Sequence, residues 1–545
     1  MKLTSCRNLF SILLVFSLVL TGCSGISAQS TGNSNFSAMK VEAESCGYGG
    51  EIRSVEAVDA YTVKFTLCSA DAAFPQKMTS PIMAIQDKDF LDSHKGDSLL
   101  MTKEMNGTGP FTVITNQKDL PILLKVSPTY WGTPPRVTSI YFHWYENATS
   151  YQYRSLGDVL NTIDPAALEP VQKDTAFTGI RHNPMNLVYI GFNNKLSPMN
   201  NVAVRQGIAY AIDQAKLTQN YLASGSETAT QLVPSFLTTG RTSSLSWYEV
   251  DLEKAKATLE SANFDFSQKI TLAYVDESSS LIQNPGWIAA EIKSELAAIG
   301  IEVELMPLMK ERFDSVIWNG TAMMFLDTYK AQYADGAAFY EIPLLREVRR
   351  FGDPYSTLQQ ELYAVQAATS TSARQIKFDQ LNQDFKDLVP FIPVGFVAQW
   401  SFFRNTISSA STNSSFENYE DLSPQTVTIQ VYEKNRPISL WPSDETNDDT
   451  FKITRLLYDT LVTEGYGASG LQPSLADSWI SNDAMTEWTF YLRYNVNFSN
   501  GASLDANDVV ASFAAMWDAS SPNHEGRTGE FTIFKQLFGE FINED

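Results

Sequence analysis

The side chains best suited to covalent chemistry are few and scattered. Four histidines, His94, His143, His182 and His524, stand far apart, with no i, i+4 pair and no cysteine beside them to build a metal site. No Gly-x-Ser-x-Gly elbow, glycine-rich phosphate loop or Cys-x-x-Cys pair occurs. The 62 acidic residues must bring some carboxylates together, but their spacing singles out no acid–base pair. These residues argue against an enzyme and imply no metal and no cofactor. The cysteines say more. Cys23 closes the run Leu20-Thr21-Gly22-Cys23, behind the basic Lys2 and Arg7 and an apolar stretch at 9–20 that is short for a membrane span. This is the pattern of a lipoprotein signal peptide over 1–22, with Cys23 the acylated residue and a Ser/Gly/Asn-rich tether over 23–40. Two or three acyl chains hold a protein stably where one does not. The expected location is therefore the outer side of the cell membrane, with lipid as the only membrane contact. Cys6 leaves with the signal. Cys46 and Cys68 flank two strand-like stretches, 51–56 and 61–67, around a turn near Asp59. Such a hairpin, in an oxidising compartment, predicts a disulfide between them, with two free buried thiols as the alternative.

The elements that must position any site read as α/β. A chain of 545 residues can bury large cores and suggests two to four domains. Its formal net charge of -22 leaves no general attraction for nucleic acid or an anionic membrane face. Aromatic residues make up 12%, including 10 Trp and 23 Tyr, which suits a ligand cleft and a large core alike. Tyr61, Val63, Phe65 and Leu67 alternate with polar residues as in a half-buried strand, and so do Trp488, Phe490 and Leu492. Asp251 is placed to cap a helix carrying Leu252, Ala255 and Leu259. Ile288, Ile292 and Leu296 form a stripe ended by Gly300. Asp505 with Asp508 makes a capping box ahead of Val509, Phe513 and Met516. The stretch 408–424 is rich in Ser and Asn, poor in aliphatics, and reads as a linker.

Several blocks then stand out together. Pro473-Ser474-Leu475-Ala476-Asp477-Ser478-Trp479 is followed by Trp488-Thr489-Phe490-Tyr491-Leu492-Arg493, Phe498-Ser499-Asn500-Gly501 and Asp508-Val509-Val510-Ala511-Ser512-Phe513. Elsewhere stand Asp59-Ala60-Tyr61-Thr62-Val63, Gly107-Thr108-Gly109-Pro110-Phe111, Tyr130-Trp131-Gly132, Asn193 with Pro198, and 204–213, with 299–303 and 390–393 beyond them. Together these resemble the family 5 extracellular solute-binding proteins, which bind oligopeptides, dipeptides, nickel and some oligosaccharides for ABC importers. The order differs from the family's, since the Trp-Thr-Phe block comes last here. The resemblance implies a two-lobe periplasmic-binding-protein-like α/β fold (type II, cluster C) with a small extra α/β domain, and the changed order reads most simply as a circular permutation, with a tandem or misassembled gene cut mid-copy, or domain swapping of the terminal piece with another molecule, as the alternatives. Carried onto this chain, the small domain is 41–110 and 471–545. Lobe one is 111–215, 396–408 and 425–470, lobe two is 216–395, and 409–424 is a linker joining the family's usual termini.

The function so implied is capture of an oligopeptide by hinge closure, delivered to an ABC-importer membrane permease, by a monomer with no nucleic-acid partner. Oligosaccharide is the alternative ligand, nickel or haem a lesser one, and an extracellular enzyme or adhesin the competing class. The family places a carboxylate in an A-D-Y-x-[DE]-P segment against the peptide's α-ammonium. The matching residues here are Ala331-Gln332-Tyr333-Ala334-Asp335-Gly336, where Gln332 cannot pair a charge. Asp335 or Asp327 is then expected to substitute; otherwise the ligand is not a peptide with a free amino group. The expected ligand-binding set is Asn193, Tyr329, Gln332, Tyr333, Asp335 and Trp441, with Tyr329 and Trp441 as aromatic walls.

Overall fold

The alternation at Thr62–Leu67 builds a strand whose inward residues Val63, Phe65 and Leu67 are buried. In the computed structural model, which describes residues 36–94, 103–144, 156–161, 165–466 and 470–544, that strand lies inside a five-stranded sheet. Cys23 and the 1–22 segment lie outside the described residues. The sheet runs Lys40–Glu42, Ile52–Asp59, Thr62–Leu67, Glu487–Leu492, Ala476–Ser481. Trp488 stands opposite Phe65 and Phe490 opposite Val63, so residues more than 400 positions apart share one face. The helix Ala506–Trp517 covers this face, and its Asp505/Asp508 capping box is formed. Cys46 and Cys68 are disulfide-bonded at the mouth of the hairpin, with their Cα atoms 5.4 Å apart.

A seven-stranded sheet forms the first lobe, in the order Phe111–Thr115, Ile122–Val126, Ser139–Trp144, Thr428–Glu433, Val159–Leu160, Trp400–Arg404, Phe177–Arg181. Thr428–Glu433 sits at its centre, parallel to both Ser139–Trp144 and Val159–Leu160. Ile429 and Val431 pack there with Phe111, Phe142 and Leu456 in one apolar cluster. The late segment of the chain thus supplies inner strands of two sheets.

The second lobe is a six-stranded sheet in the order Glu227–Thr228, Phe391–Phe396, Asn186–Phe192, Met324–Lys330, Ile270–Val275, Val303–Leu308. Every residue of Asn186–Phe192 is buried, as expected of a central strand covered on both faces. The chain passes between the lobes at 182–185 and again at 397–399. The first of these corrects the sequence-based boundary at 215: residues 186–215 belong to lobe two, because Asn186–Phe192 runs between Phe391–Phe396 and Met324–Lys330. Residues 409–424 also differ from a free linker. Tyr419 and Leu422 are fully buried in the first lobe's core, and Ile407 pairs with Pro424. Among the described residues no helix is long and apolar enough to cross a membrane.

Candidate functional site

The two crossings between lobes are hydrogen-bonded to each other, His182 N donating to Gln399 O (3.0 Å) and Val397 N to Asn186 O (2.9 Å). Beside them lies a cavity of about 290 Å³ walled by both lobes and by the small domain. Its second-lobe wall follows from the register of one strand. Lys330, the last residue of Met324–Lys330, pairs with Asn186 next to the crossing, so Ala331, Gln332 and Tyr333 emerge into the cavity.

The first-lobe wall is built on the end of the helix Asp448–Leu457. Asn447 caps its start by accepting from Thr450 N, and the chain leaves the helix at Tyr458 and Asp459, both in the cavity wall. Gly107 and Gly109 fix this end. A Cβ on either would lie 2.1 and 2.6 Å from the backbone of Leu457, so only glycine permits the approach. That approach lets Thr108 Oγ1 donate to Asp459 Oδ2 (2.9 Å) and Gly109 N to Leu457 O (3.0 Å). Trp131 Nε1 donates to the same Asp459 oxygen (2.8 Å), and Tyr130 OH donates to Glu420 Oε2 (3.2 Å). The segment 413–421 completes the wall. Arg455 donates to Tyr466 OH (2.6 Å) and to the Glu417 carbonyl, its guanidinium 5.1 Å from the centre of the Phe416 ring.

The cavity is rich in carboxylates. Burial, and then the charge of Asp459, pushes Glu420 up to about 7, with Arg455 partly opposing. Burial also raises Asp459, against the hydrogen bonds from Trp131 and Thr108. Glu464 is raised by burial while Ser414 donates to it. A second cavity of about 300 Å³ adjoins the crossings and shares Ser415 with the first. It holds His182, whose ring is bonded to Ser401 Oγ (2.8 Å) and Asn413 O (3.2 Å) and whose proton affinity is lowered by burial.

The lobes are tied together around these cavities. Lys330 Nζ meets Asp448 Oδ1 at 2.6 Å, and Gln332 Nε2 donates to Gln536 Oε1 of the small domain (3.1 Å). Deeper, the fully buried Lys77 of the small domain meets Glu51 (2.8 Å), Asp71 (2.9 Å) and Glu341 of lobe two (3.4 Å). Arg346 of lobe two pairs with Glu51 as well.

Of the residues expected from sequence, Gln332 and Tyr333 line the cavity and the others do not. Tyr329 is buried in lobe two against Tyr189 and donates its hydroxyl to Phe339 O. Asn193 lies at the far end of its strand from the crossings, with its backbone N–H bonded to Met323 O (3.0 Å). Trp441 is buried edge-on against Phe531. The two carboxylates expected to replace the family's aspartate are occupied: Asp335 by Arg374 at 2.6 and 2.7 Å, and Asp327 by Arg350. Sequence reasoning missed Glu420, Asp459 and Arg455, since only the tertiary fold brings them to one wall.

Comparison with known proteins agrees with this architecture. The model of the bacterial extracellular solute-binding proteins, family 5, matches residues 25–346 and 470–535, and the chain belongs to that family. A dipeptide-binding protein of Escherichia coli (strain K12) is 26% identical over 269 residues, 48% of this chain and 50% of that protein. Heme-binding protein A of Haemophilus influenzae is 27% identical over 259 residues, 46% of this chain and 47% of the relative. The chain thus spans about half the length of the curated relatives it matches. Among solved structures, HbpA2 from Haemophilus parasuis is 24% identical with a TM-score of 0.62, covering 69% of this chain and 76% of that one. A dipeptide binding protein from Pseudoalteromonas sp. SM9913 in complex with Met-Leu is 18% identical with a TM-score of 0.57, at the same two coverages. These likenesses establish the shared two-lobe fold.

Proposed function

We propose that this chain is the lipid-anchored, extracytoplasmic solute-binding component of an ABC importer, and that it captures oligopeptides by closing two lobes on them. The observation that carries this reading is the cavity between the lobes, with 331–333 on one wall and 413–421 on the other. Two crossing segments bonded to each other suit a hinge, and Lys330 with Asp448 suits a contact made on closure. Ligand contacts available only between closed lobes would shift that equilibrium. The printed names of the relatives, dipeptide-binding proteins among them, support a peptide as cargo. Oligosaccharide is the second reading, favoured by the aromatic faces of Tyr130, Trp131 and Phe416 beside the amides of Gln332 and Asn418. The order of the family blocks is read as a circular permutation within one chain. It is supported by Thr428–Glu433 and Glu487–Leu492 pairing with strands from the first third of the same chain.

Thermal-shift measurements against a mixed tripeptide pool and a mixed oligosaccharide pool test the function. Free ligand at 100 times Kd stabilises the folded state by about 2.7 kcal/mol, so a peptide ligand raises Tm clearly while sugars leave it unchanged. A flat response to both pools refutes the reading. A gene re-permuted to begin at Gln425 is expected to give a stable monomer; an aggregated or dimeric product would count against intramolecular permutation.

A further inference from the structure

We propose that the small domain clasps lobe two as the cleft shuts, through a buried ionic cluster, and so sets ligand affinity from outside the cavity. In that cluster Lys77 and Glu51 of the small domain meet Glu341 and Arg346 of lobe two. The inference rests on the closing-lobe reading above. The chain runs from the small domain into lobe one near 110 and 470, and never directly into lobe two. Backbone bonds fasten the small domain to lobe one: Ile85 N donates to Asp459 O (3.0 Å), Leu475 N to Thr460 O (3.1 Å) and Ala476 N to Leu461 O (2.8 Å). Among the described residues no strand of the small domain pairs with one of lobe two. A swing of lobe two about the crossings therefore parts it from the small domain as well as from lobe one.

What parts there is ionic and largely buried. Lys77 reaches across to Glu341 (3.4 Å), while Arg346 reaches back to Glu51 and donates through Nε to Gln536 O (3.1 Å). Two ion pairs of opposite polarity thus cross the boundary in opposite directions. Burial opposes ionisation of Glu51, yet the charges of Lys77 and Arg346 outweigh it and hold the carboxyl below its usual range. Such pairs repay their desolvation only in good geometry, so the cluster favours one seated arrangement over loosely closed ones. With lobe two swung away, water solvates each partner instead. The same interface touches the ligand wall. Gln332 donates to Gln536 Oε1 (3.1 Å), and the Tyr333 ring lies 5.8 Å from Lys77 Nζ; both residues line the cavity. A backbone bond crosses as well, Ala72 N donating to Gln366 O (2.8 Å). A site complete only in the closed form binds with its affinity reduced by the closed fraction, so loosening the clasp weakens binding without removing a ligand contact.

Arg346→Met and Glu51→Gln test the clasp from its two sides, each variant checked for native near-UV circular dichroism. Each is expected to weaken the apparent affinity for a mixed tripeptide pool at least about tenfold in titration calorimetry. Each should also enlarge the radius of gyration of the ligand-free protein in X-ray scattering, with the parent's value restored at saturation. The double variant is expected to bind within about threefold of the weaker single, because both changes break the same pair. A merely structural role would lower Tm and leave affinity and scattering at the parent's values; that result in either folded variant overturns the inference. Hydrogen exchange of the parent protein tests it whether or not the variants fold. Saturating peptide is expected to slow exchange at 70–78 and 341–347 together with 331–333. Slowing at 331–333 alone overturns the clasp and leaves the peptide-binding reading standing. A parent protein that binds nothing in the pool overturns both.

Discussion

Replacing Arg374 by Met tests whether Asp335 is a structural residue. Asp335 and Arg374 are 6% and 7% exposed and share two hydrogen bonds of 2.6 and 2.7 Å. The Asp335 carboxylate also accepts from Ala337 N at 2.8 Å, which starts the turn carrying 337–341. Arg374 in turn lies with its guanidinium 5.3 Å from the centre of the Phe378 ring, which a Met stem can still cover. Arg374→Met therefore keeps most of the packing and strands a buried carboxylate with one donor. Breaking a buried pair in this way costs about 3–5 kcal/mol. Adding Asp335→Asn removes the stranded charge while keeping an acceptor for Ala337 N, so the double variant is expected to recover all but about 1–2 kcal/mol. Urea unfolding followed by circular dichroism reads both values. Peptide affinity of the folded variants is expected to stay within twofold, because neither residue lines the cavity. A cost below about 1 kcal/mol for Arg374→Met, or loss of peptide binding in a well-folded Asp335→Asn protein, would refute this assignment and return Asp335 to the ligand.

Other outcomes follow from the same contacts. Glu420 titrates near 4.5 when unfolded and near 7 in the fold, so the ligand-free fold binds the extra proton and loses stability as pH rises between those values. Glu420→Gln should remove that loss, gaining up to about 3 kcal/mol at pH 8 and nothing at pH 4, by urea unfolding at each pH. Lys330→Ala removes one partly exposed contact between lobes, worth about 0.3–1 kcal/mol, and is expected to weaken peptide affinity two- to fivefold in titration calorimetry without lowering Tm. The double Cys46→Ser, Cys68→Ser variant loses a bond closing 22 residues and should cost about 3 kcal/mol of stability in urea.

Local features were legible in the chain because local chemistry sets them. The alternation at Thr62–Leu67 and Glu487–Leu492 is the burial pattern found, Asp251 accepts from Lys254 N at 2.9 Å, and Gly300 takes the left-handed φ of +89° that ends its helix. The family blocks gave the two-lobe plan. Long-range placement was not legible. Nothing in Val188 or Ile190 says that their strand lies beyond the crossing, since a fully buried strand reads the same in either lobe. The Ser/Asn-rich stretch 408–424 looked like a linker because its composition resembles one. Its polar residues are in fact bonded inside the fold, Glu417 to Ser401 at 2.6 Å and Asn418 to Asp421 at 2.7 Å, while Tyr419 enters the core. Asp335 looked free for a ligand because Arg374, its partner, is 39 residues away.

The claim that a peptide is enclosed between the lobes is tested most directly by hydrogen exchange with mass spectrometry, on the protein with and without a saturating mixed tripeptide pool. The account expects slowed exchange at 331–333 and 413–421 together, with protection extending to the crossings at 182–185 and 397–399. Unchanged exchange at those four segments under saturating peptide, or protection confined to the outer face of one lobe, would contradict it.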